Sequence, residues 1–205
     1  MVYLHGFASS PQSMKAQFFR RRFESCGFTV EIPELDEGNF SGLTITGQLK
    51  VIERAVADRP AILMGSSLGG YLAALFASRS TAIWKLILMA PAFEFPRRWR
   101  ERYSPEEMER WQQLGYTEVF HYGYREERAL GYQLVVDSLQ YEDDPDFGQP
   151  ALIFHGIHDE TVPVEISKAY AARHDDVTLR LLDSGHELTD RVEEMWTQTA
   201  AYLDL

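Results

Sequence analysis

The sequence predicts an α/β fold: a mainly parallel six-stranded sheet flanked by helices, with a helical insertion. Three observations carry this. Short apolar runs bounded by turn residues recur along the 205 residues, and helix-period segments lie between most of them. Strand and helix alternate, which implies right-handed crossovers and parallel pairing. The composition, 45% hydrophobic and 25% charged, is that of an ordinary globular chain. A chain of this length buries roughly 70% of its unfolded surface, enough for a core without disulfides or metals. A single domain over residues 1–205 is expected.

The elements follow in order. Val2–Leu4 is the first strand. Ser10-Pro11 forms an N-cap and N1 pair that opens the first helix, and Gly27 stops it. Thr29–Pro33 is the second strand. Leu49, Ile52 and Val56 share one face of a helix that ends before Pro60. Ala61–Met64 is a strand, and after a glycine-rich turn comes a helix carrying Leu72, Leu75 and Phe76. Lys85–Met89 and Ala151–Phe154 are strands. A helix from Pro163 carries Ile166, Ala169 and Tyr170, and Thr178–Leu182 is the sixth strand. Leu188, Val192, Met195, Trp196, Thr199 and Leu203 form the amphipathic stripe of the last helix, read as core packing.

The rhythm breaks between Pro91 and Gln149, a stretch of 59 residues with no convincing strand. A simple crossover needs about a dozen. Helix-like pieces are punctuated by Pro96, Ser104-Pro105, Gly115, Gly123 and Gly131. The insertion holds 12 of the 26 aromatic residues, more than its share by length, so it is read as a helical cap over a ligand site.

Composition excludes several function classes. Twenty Lys and Arg against 31 Asp and Glu leave a net charge of −11, which disfavours nonspecific binding to nucleic acid or anionic lipid. The single cysteine, Cys26, permits no intramolecular disulfide and no cysteine-based zinc cluster, and it lacks an adjacent activating base. No stretch reaches the roughly 18 apolar residues of a membrane span. The N-terminus reaches His5-Gly6 without the basic and apolar regions of a signal peptide. A cytoplasmic protein with a small-molecule substrate is expected.

The chemistry-bearing motif is Gly65-Ser66-Ser67-Leu68-Gly69-Gly70, between a strand and a helix. Gly-x-Ser-x-Gly in that setting is a nucleophile elbow: the glycines let strand and helix approach around a strained turn that holds the serine hydroxyl out at the end of the sheet. Only Ser67 fits the frame, since Ser66 would require glycine at Met64 and Leu68. A phosphate loop would need a Gly-Lys-Ser/Thr ending that is missing. An elbow serine needs an acid and then a base, in that order along the chain. His174 and His186 lie beyond the strand that presents the acid. His174 ends a helix and reads as a helix C-terminal cation, whereas His186 follows the last strand in Asp183-Ser184-Gly185-His186, so His186 is the base. Asp159, just after Ala151–Phe154, is the acid, with Glu160 and Asp183 as rivals. The backbone N–H groups of Phe7 and Leu68 are the expected oxyanion hole. His5 reads as a structural residue of the first loop. His5, His155 and His158 lie on two loops without carboxylates at helical spacing, so neither metal nor other cofactor is expected.

These residues carry a resemblance. The chain resembles the α/β-hydrolase superfamily over essentially its whole length. Tyr3-Leu4-His5-Gly6-Phe7, followed by Ser9-Ser10-Pro11-Gln12-Ser13 and Lys15-Ala16, is more narrowly similar to the small bacterial YqiA/YcfP-like esterases, whose sheet begins near residue 1. In the insertion, Trp111, Gly115 and Gly131-Tyr132-Gln133-Leu134 are similar to the cap of the mammalian acyl-protein thioesterase and acyl-glucuronide esterase group. The resemblance implies acyl transfer to water through Ser67, His186 and Asp159 and an acyl-enzyme. The expected substrates are carboxylic esters of short to medium acyl chains, with thioesters or acyl glucuronides as the alternative. A non-catalytic binding protein on the same fold is the reading from a different class.

Two substrate contacts are expected from the insertion. Trp99, Tyr103, Trp111, Phe120 and Tyr124 are candidates for the apolar wall of an acyl pocket. Arg97, Arg98, Arg100 and Arg102 form a basic cluster offset by Glu94, Glu101, Glu106 and Glu107. It reads as a solvated segment, or more sharply as a recognition element for an anionic leaving group such as a glucuronide or coenzyme A phosphate.

Overall fold

The computed structural model of the chain describes residues 1–57 and 59–205. In chain order it runs β1 (Val2–Leu4), α1 (Met14–Ser25), α2 (Ile45–Val56), β2 (Ala61–Ser66), α3 (Leu68–Ala77) and β3 (Ile83–Met89). The insertion follows as α4 (Phe95–Glu101), α5 (Pro105–Leu114), β4 (Tyr116–His121), β5 (Glu126–Gly131) and α6 (Gln133–Ser138). The chain closes with β6 (Ala151–Gly156), α7 (Val164–Ala171), β7 (Val177–Leu182) and α8 (Val192–Leu203).

The main sheet has five parallel strands in the order β1-β2-β3-β6-β7. The sixth expected strand, Thr29–Pro33, is reduced to one parallel bridge between Val2 and Glu31. It lies beside a three-residue edge strand, and Pro33 has no N–H to extend the ladder. Helix α1 also starts later than its Ser10-Pro11 signal. Those residues form a turn in which Ser13 N–H donates to the Ser10 carbonyl at 3.1 Å, and the helix opens at Met14.

Strand periodicity divides the core in two. Leu86 and Leu88 of β3 face a core shared with Leu72 of α3 and Ile52 of α2, whereas Ile87 and Met89 face one shared with Phe19 and Phe23 of α1 and Met195 of α8. Strands β2 and β6 are buried along their whole length, as central strands covered on both faces should be. Among the described residues no helix is long and apolar enough to cross a membrane.

The insertion is not purely helical, contrary to the sequence expectation. β4 and β5 pair antiparallel, Tyr116 opposite Gly131 through His121 opposite Glu126. Most of β4 is exposed or half-buried, so it shows no continuous apolar run. What marks it is the β-branched and aromatic series Tyr116, Thr117, Val119 and Phe120. Helix α5 is better signposted. Ser104 and Glu107 form a reciprocal capping box, Pro105 stands at the first turn, and Gly115 ends the helix at φ 79°. The insertion packs onto the α2–α3 side of the sheet through Trp99, Trp111, Leu130 and Leu134. The hairpin turn meets the loop after β1, where Gly123 N–H donates to the Ala8 carbonyl at 3.3 Å.

Candidate active site

Ser67 joins β2 to α3 with φ 53° and ψ −117°, a strained conformation for a residue with a side chain. Its surroundings hold it there. Ser67 N–H donates to the Met89 carbonyl at 2.9 Å, and the Ser67 carbonyl accepts from Gly70, Tyr71 and Ala92 N–H groups at 2.9, 3.1 and 3.0 Å. The flanking glycines are required sterically. A Cβ on Gly65 would run into the Gly69 backbone, and one on Gly69 into the Leu4 and His5 carbonyls. Ser66 is a buried strand residue.

The loop after β7 brings His186 to this turn. His186 Nε2 lies 3.0 Å from Ser67 Oγ, and His186 Nδ1 lies 2.7 Å from Asp159 Oδ2. Asp159 sits on the loop after β6 with its side chain fully buried. Its Oδ1 accepts from Thr161 and Val162 N–H, both at 2.8 Å, and His155 Nε2 lies 3.2 Å from Oδ2. Burial works against ionisation of Asp159. Hydrogen bonds from His155, His186 and Val162 N–H outweigh it and hold the carboxyl well below the usual aspartate range. With Asp159 an ionised acceptor, the His186 proton belongs on Nδ1. Nε2 then accepts from the Ser67 hydroxyl.

The rivals lie elsewhere. Asp183 pairs with His158 at 2.8 Å on the exposed surface, and Glu160 is exposed. His174 caps the end of α7, its Nδ1 2.8 Å from the Tyr170 carbonyl. His5 is buried in the β1 loop, its Nδ1 3.0 Å from the Gly6 carbonyl, while Leu35 N–H approaches Nε2 at 3.4 Å. Among the described residues, neither Phe7 N–H nor Leu68 N–H donates to a protein acceptor. Leu68 opens the ten-residue helix α3, whose N-terminal dipole favours negative charge. No group of three His, Cys, Asp or Glu side chains among the described residues is placed to hold a metal ion.

A cavity of about 80 Å³ opens beside Ser67 and Leu68, walled by Phe7, Phe93, Phe95 and Trp99 and bordered by Arg98 and Arg102. Of the five aromatics expected there, only Trp99 lines it. Tyr103 packs behind, between Trp99 and Trp111. Trp111 is buried in the core with its indole N–H on the Leu130 carbonyl at 3.0 Å. Phe120 and Tyr124 stand on the exposed hairpin, against Tyr122 and His121. The displacement has a simple cause: the hairpin turns Phe120 and Tyr124 outward, and α5 turns Trp111 into the core. Phe93 and Phe95 were missed as wall residues. The available signal was their position directly after β3, at the same end of the sheet as Ser67.

Compared with known families, residues 1–203 match the uncharacterised protein family UPF0227. None of the curated proteins compared matches the chain. Among solved structures, mouse alpha/beta hydrolase domain-containing protein 10 is similar, with TM-score 0.83 and 21% identity over 99% of this chain and 88% of that one. Est1E from Butyrivibrio proteoclasticus gives TM-score 0.80 and 19% identity over 98% and 85% of the two chains. The Paleococcus ferrophilus monoacylglycerol lipase gives 0.76 and 16% over 98% and 93%. These likenesses establish the α/β-hydrolase fold.

Proposed function

Because this chain belongs to the UPF0227 family and carries the α/β-hydrolase fold, we propose that it is a serine esterase cleaving carboxylic esters of short to medium acyl chains. One observation carries the reading: the continuous hydrogen-bonded chain from Ser67 through His186 to Asp159, at 3.0 and 2.7 Å. Names of fold neighbours, a monoacylglycerol lipase and lipolytic enzymes among them, lend it support.

Ser67 Oγ attacks the ester carbonyl as His186 Nε2 takes its proton. Asp159, held ionised, fixes the tautomer and stabilises the imidazolium. The carbonyl oxygen becomes an oxyanion and accepts from Phe7 and Leu68 N–H, both unspent among the described residues and the second reinforced by the α3 dipole. His186 then gives its proton to the leaving alkoxide, and water repeats the sequence on the acyl-enzyme. The segment 91–149 acts as a cap of the single domain, contributing Phe93, Phe95 and Trp99 to the acyl wall. A cavity of about 80 Å³, at roughly 10–15 Å³ per water-sized occupant, takes a group of a handful of heavy atoms.

The test is covalent labelling and turnover. A fluorophosphonate should label the wild type at Ser67 and leave Ser67→Ala unlabelled, and Ser67→Ala should lose hydrolysis of 4-nitrophenyl acetate and butanoate while Ser66→Ala keeps it. An unlabelled wild type that turns over neither ester overturns the proposal.

A further inference from the structure

Helix α4 presents one face to the cavity beside Ser67. Phe95, Arg98, Trp99 and Arg102 stand at helical spacings of three, four and seven, and all four line it. The two apolar residues are buried, whereas Arg98 is half-buried and Arg102 exposed. An apolar wall therefore gives way to two guanidinium groups toward solvent.

Three of the four carboxylates expected to offset these arginines, Glu94, Glu101 and Glu107, are spent elsewhere. Arg97, on another face of the helix, takes Glu94, Glu101 and Asp143. Glu107 reaches back to Ser104 N–H at 2.8 Å. Among the described residues, neither Arg98 nor Arg102 has a carboxylate within 4.0 Å. Arg98 Nη2 approaches only the Thr161 carbonyl, at 3.4 Å, and Arg102 lies over the Trp99 ring at 5.2 Å. Two like charges four positions apart on a helix repel. In a chain of net charge −11, acidic partners were available and are not used here.

We infer that the substrate carries an anionic group, separated from the scissile ester by a short apolar segment, which Arg98 and Arg102 bind. This rests on the esterase reading of Ser67. Guanidinium forks match carboxylate or phosphate oxygens, and the bonds are charge-assisted. The aromatic wall takes the apolar segment. The anion belongs either to the acyl chain or to the leaving group, and both supply the same chemistry.

Two matched substrate pairs test this and separate the sources: monophenyl adipate against phenyl hexanoate for an acyl-side anion, and 4-acetoxybenzoate against 4-methylphenyl acetate for a leaving-group anion. Each is assayed with wild type and with the double variant Arg98→Gln/Arg102→Gln. In one pair, the ratio of kcat/KM for the anionic ester to that for the neutral ester should be about tenfold or more higher in the wild type. The responding pair identifies the side. Ratios that agree within about twofold in both pairs, with neutral esters still hydrolysed through Ser67, overturn the inference and leave the esterase reading standing. No turnover of any of the four, in a protein that fluorophosphonate does not label, overturns both.

Discussion

His155 and Asp159 are joined inside the protein: His155 Nε2 lies 3.2 Å from Asp159 Oδ2, and both side chains are fully buried. The same nitrogen is 2.9 Å from the Val162 carbonyl, and Nδ1 is 2.7 Å from Ser167 Oγ. Two acceptors at Nε2 place the proton there, and Nδ1 accepts from the Ser167 hydroxyl. Both ring nitrogens are therefore spent, and one of these bonds steadies the carboxylate that orients His186. His155→Leu would remove that donor and leave the Ser167 hydroxyl unpaired. The expected cost is about 3 kcal/mol, a drop in melting temperature of roughly 6–12 °C. It should come with a fall in kcat that Ser167→Ala, which keeps the contact to Asp159, does not match. Equal loss of kcat in the two variants would assign His155 to packing alone.

Asp159 makes stability depend on pH in a definite direction. Its carboxyl is held below the usual range in the folded protein, so the unfolded chain binds its proton more readily. The stabilisation is fully present above the ordinary aspartate pKa, about 3.9. It is lost as pH falls through the lower, folded value. The melting-temperature gap between wild type and Asp159→Asn should therefore be wide at pH 7 and narrow on acidification below about pH 4. The same substitution should lower kcat by orders of magnitude because it favours the wrong His186 tautomer, whereas Glu160→Gln, on an exposed residue, should not. A gap that stays constant from neutral to acid pH would show that the folded carboxyl is not depressed.

Lys15 is a second buried charge bound to the same machinery. From the first turn of α1 its Nζ donates to the Glu187 carbonyl at 2.5 Å, the residue after His186, with the Glu187 carboxylate 3.9 Å away. Burial pushes the Lys15 ammonium below its ordinary pKa, against the pull of Glu187 and Asp159. Lys15→Met keeps the stem and removes the charge, so desolvation relief offsets the lost bond, and the melting temperature should move by less than about 4 °C. The loop carrying His186 loses its anchor, and kcat should fall about tenfold. Unchanged kcat in the folded variant would leave Lys15 with no part in placing His186.

What the sequence disclosed and what it hid follow from locality. Gly65 and Gly69 announce the turn because their own backbones must touch, and His186 and Asp159 stand directly after strands whose ends the fold brings together. All five strands of the main sheet were legible as apolar runs, whereas Thr29–Pro33 shows the same kind of run and yet makes only one bridge. The β4–β5 hairpin was not legible, since its exposed faces carry no apolar alternation. The cavity wall was legible only at Trp99. Which aromatic of a short helix or hairpin turns toward Ser67 depends on contacts made far away in the chain, such as Trp111 with Leu130 and Trp99 with Phe7.

That distribution of aromatics governs which acyl chains the cavity accepts. Trp99 lines the cavity and packs on Phe7 and Phe95, with ring centroids at 4.7 and 5.3 Å. Its indole N–H is buried with no hydrogen-bond partner among the described residues, so the ring is placed by packing alone. Each acyl methylene held against such a wall gains roughly 0.8 kcal/mol until the space is filled. For wild type, kcat/KM on 4-nitrophenyl esters should therefore rise over the first few carbons and then fall. Trp99→Ala deepens the cavity and should move the optimum to longer chains. Tyr124→Ala, on the exposed hairpin, should leave the position of the optimum alone. Trp111→Ala should act on stability, at about 3–5 kcal/mol for a buried aromatic. An optimum that stays put in folded Trp99→Ala, or that shifts in Tyr124→Ala, would move the acyl site away from α4.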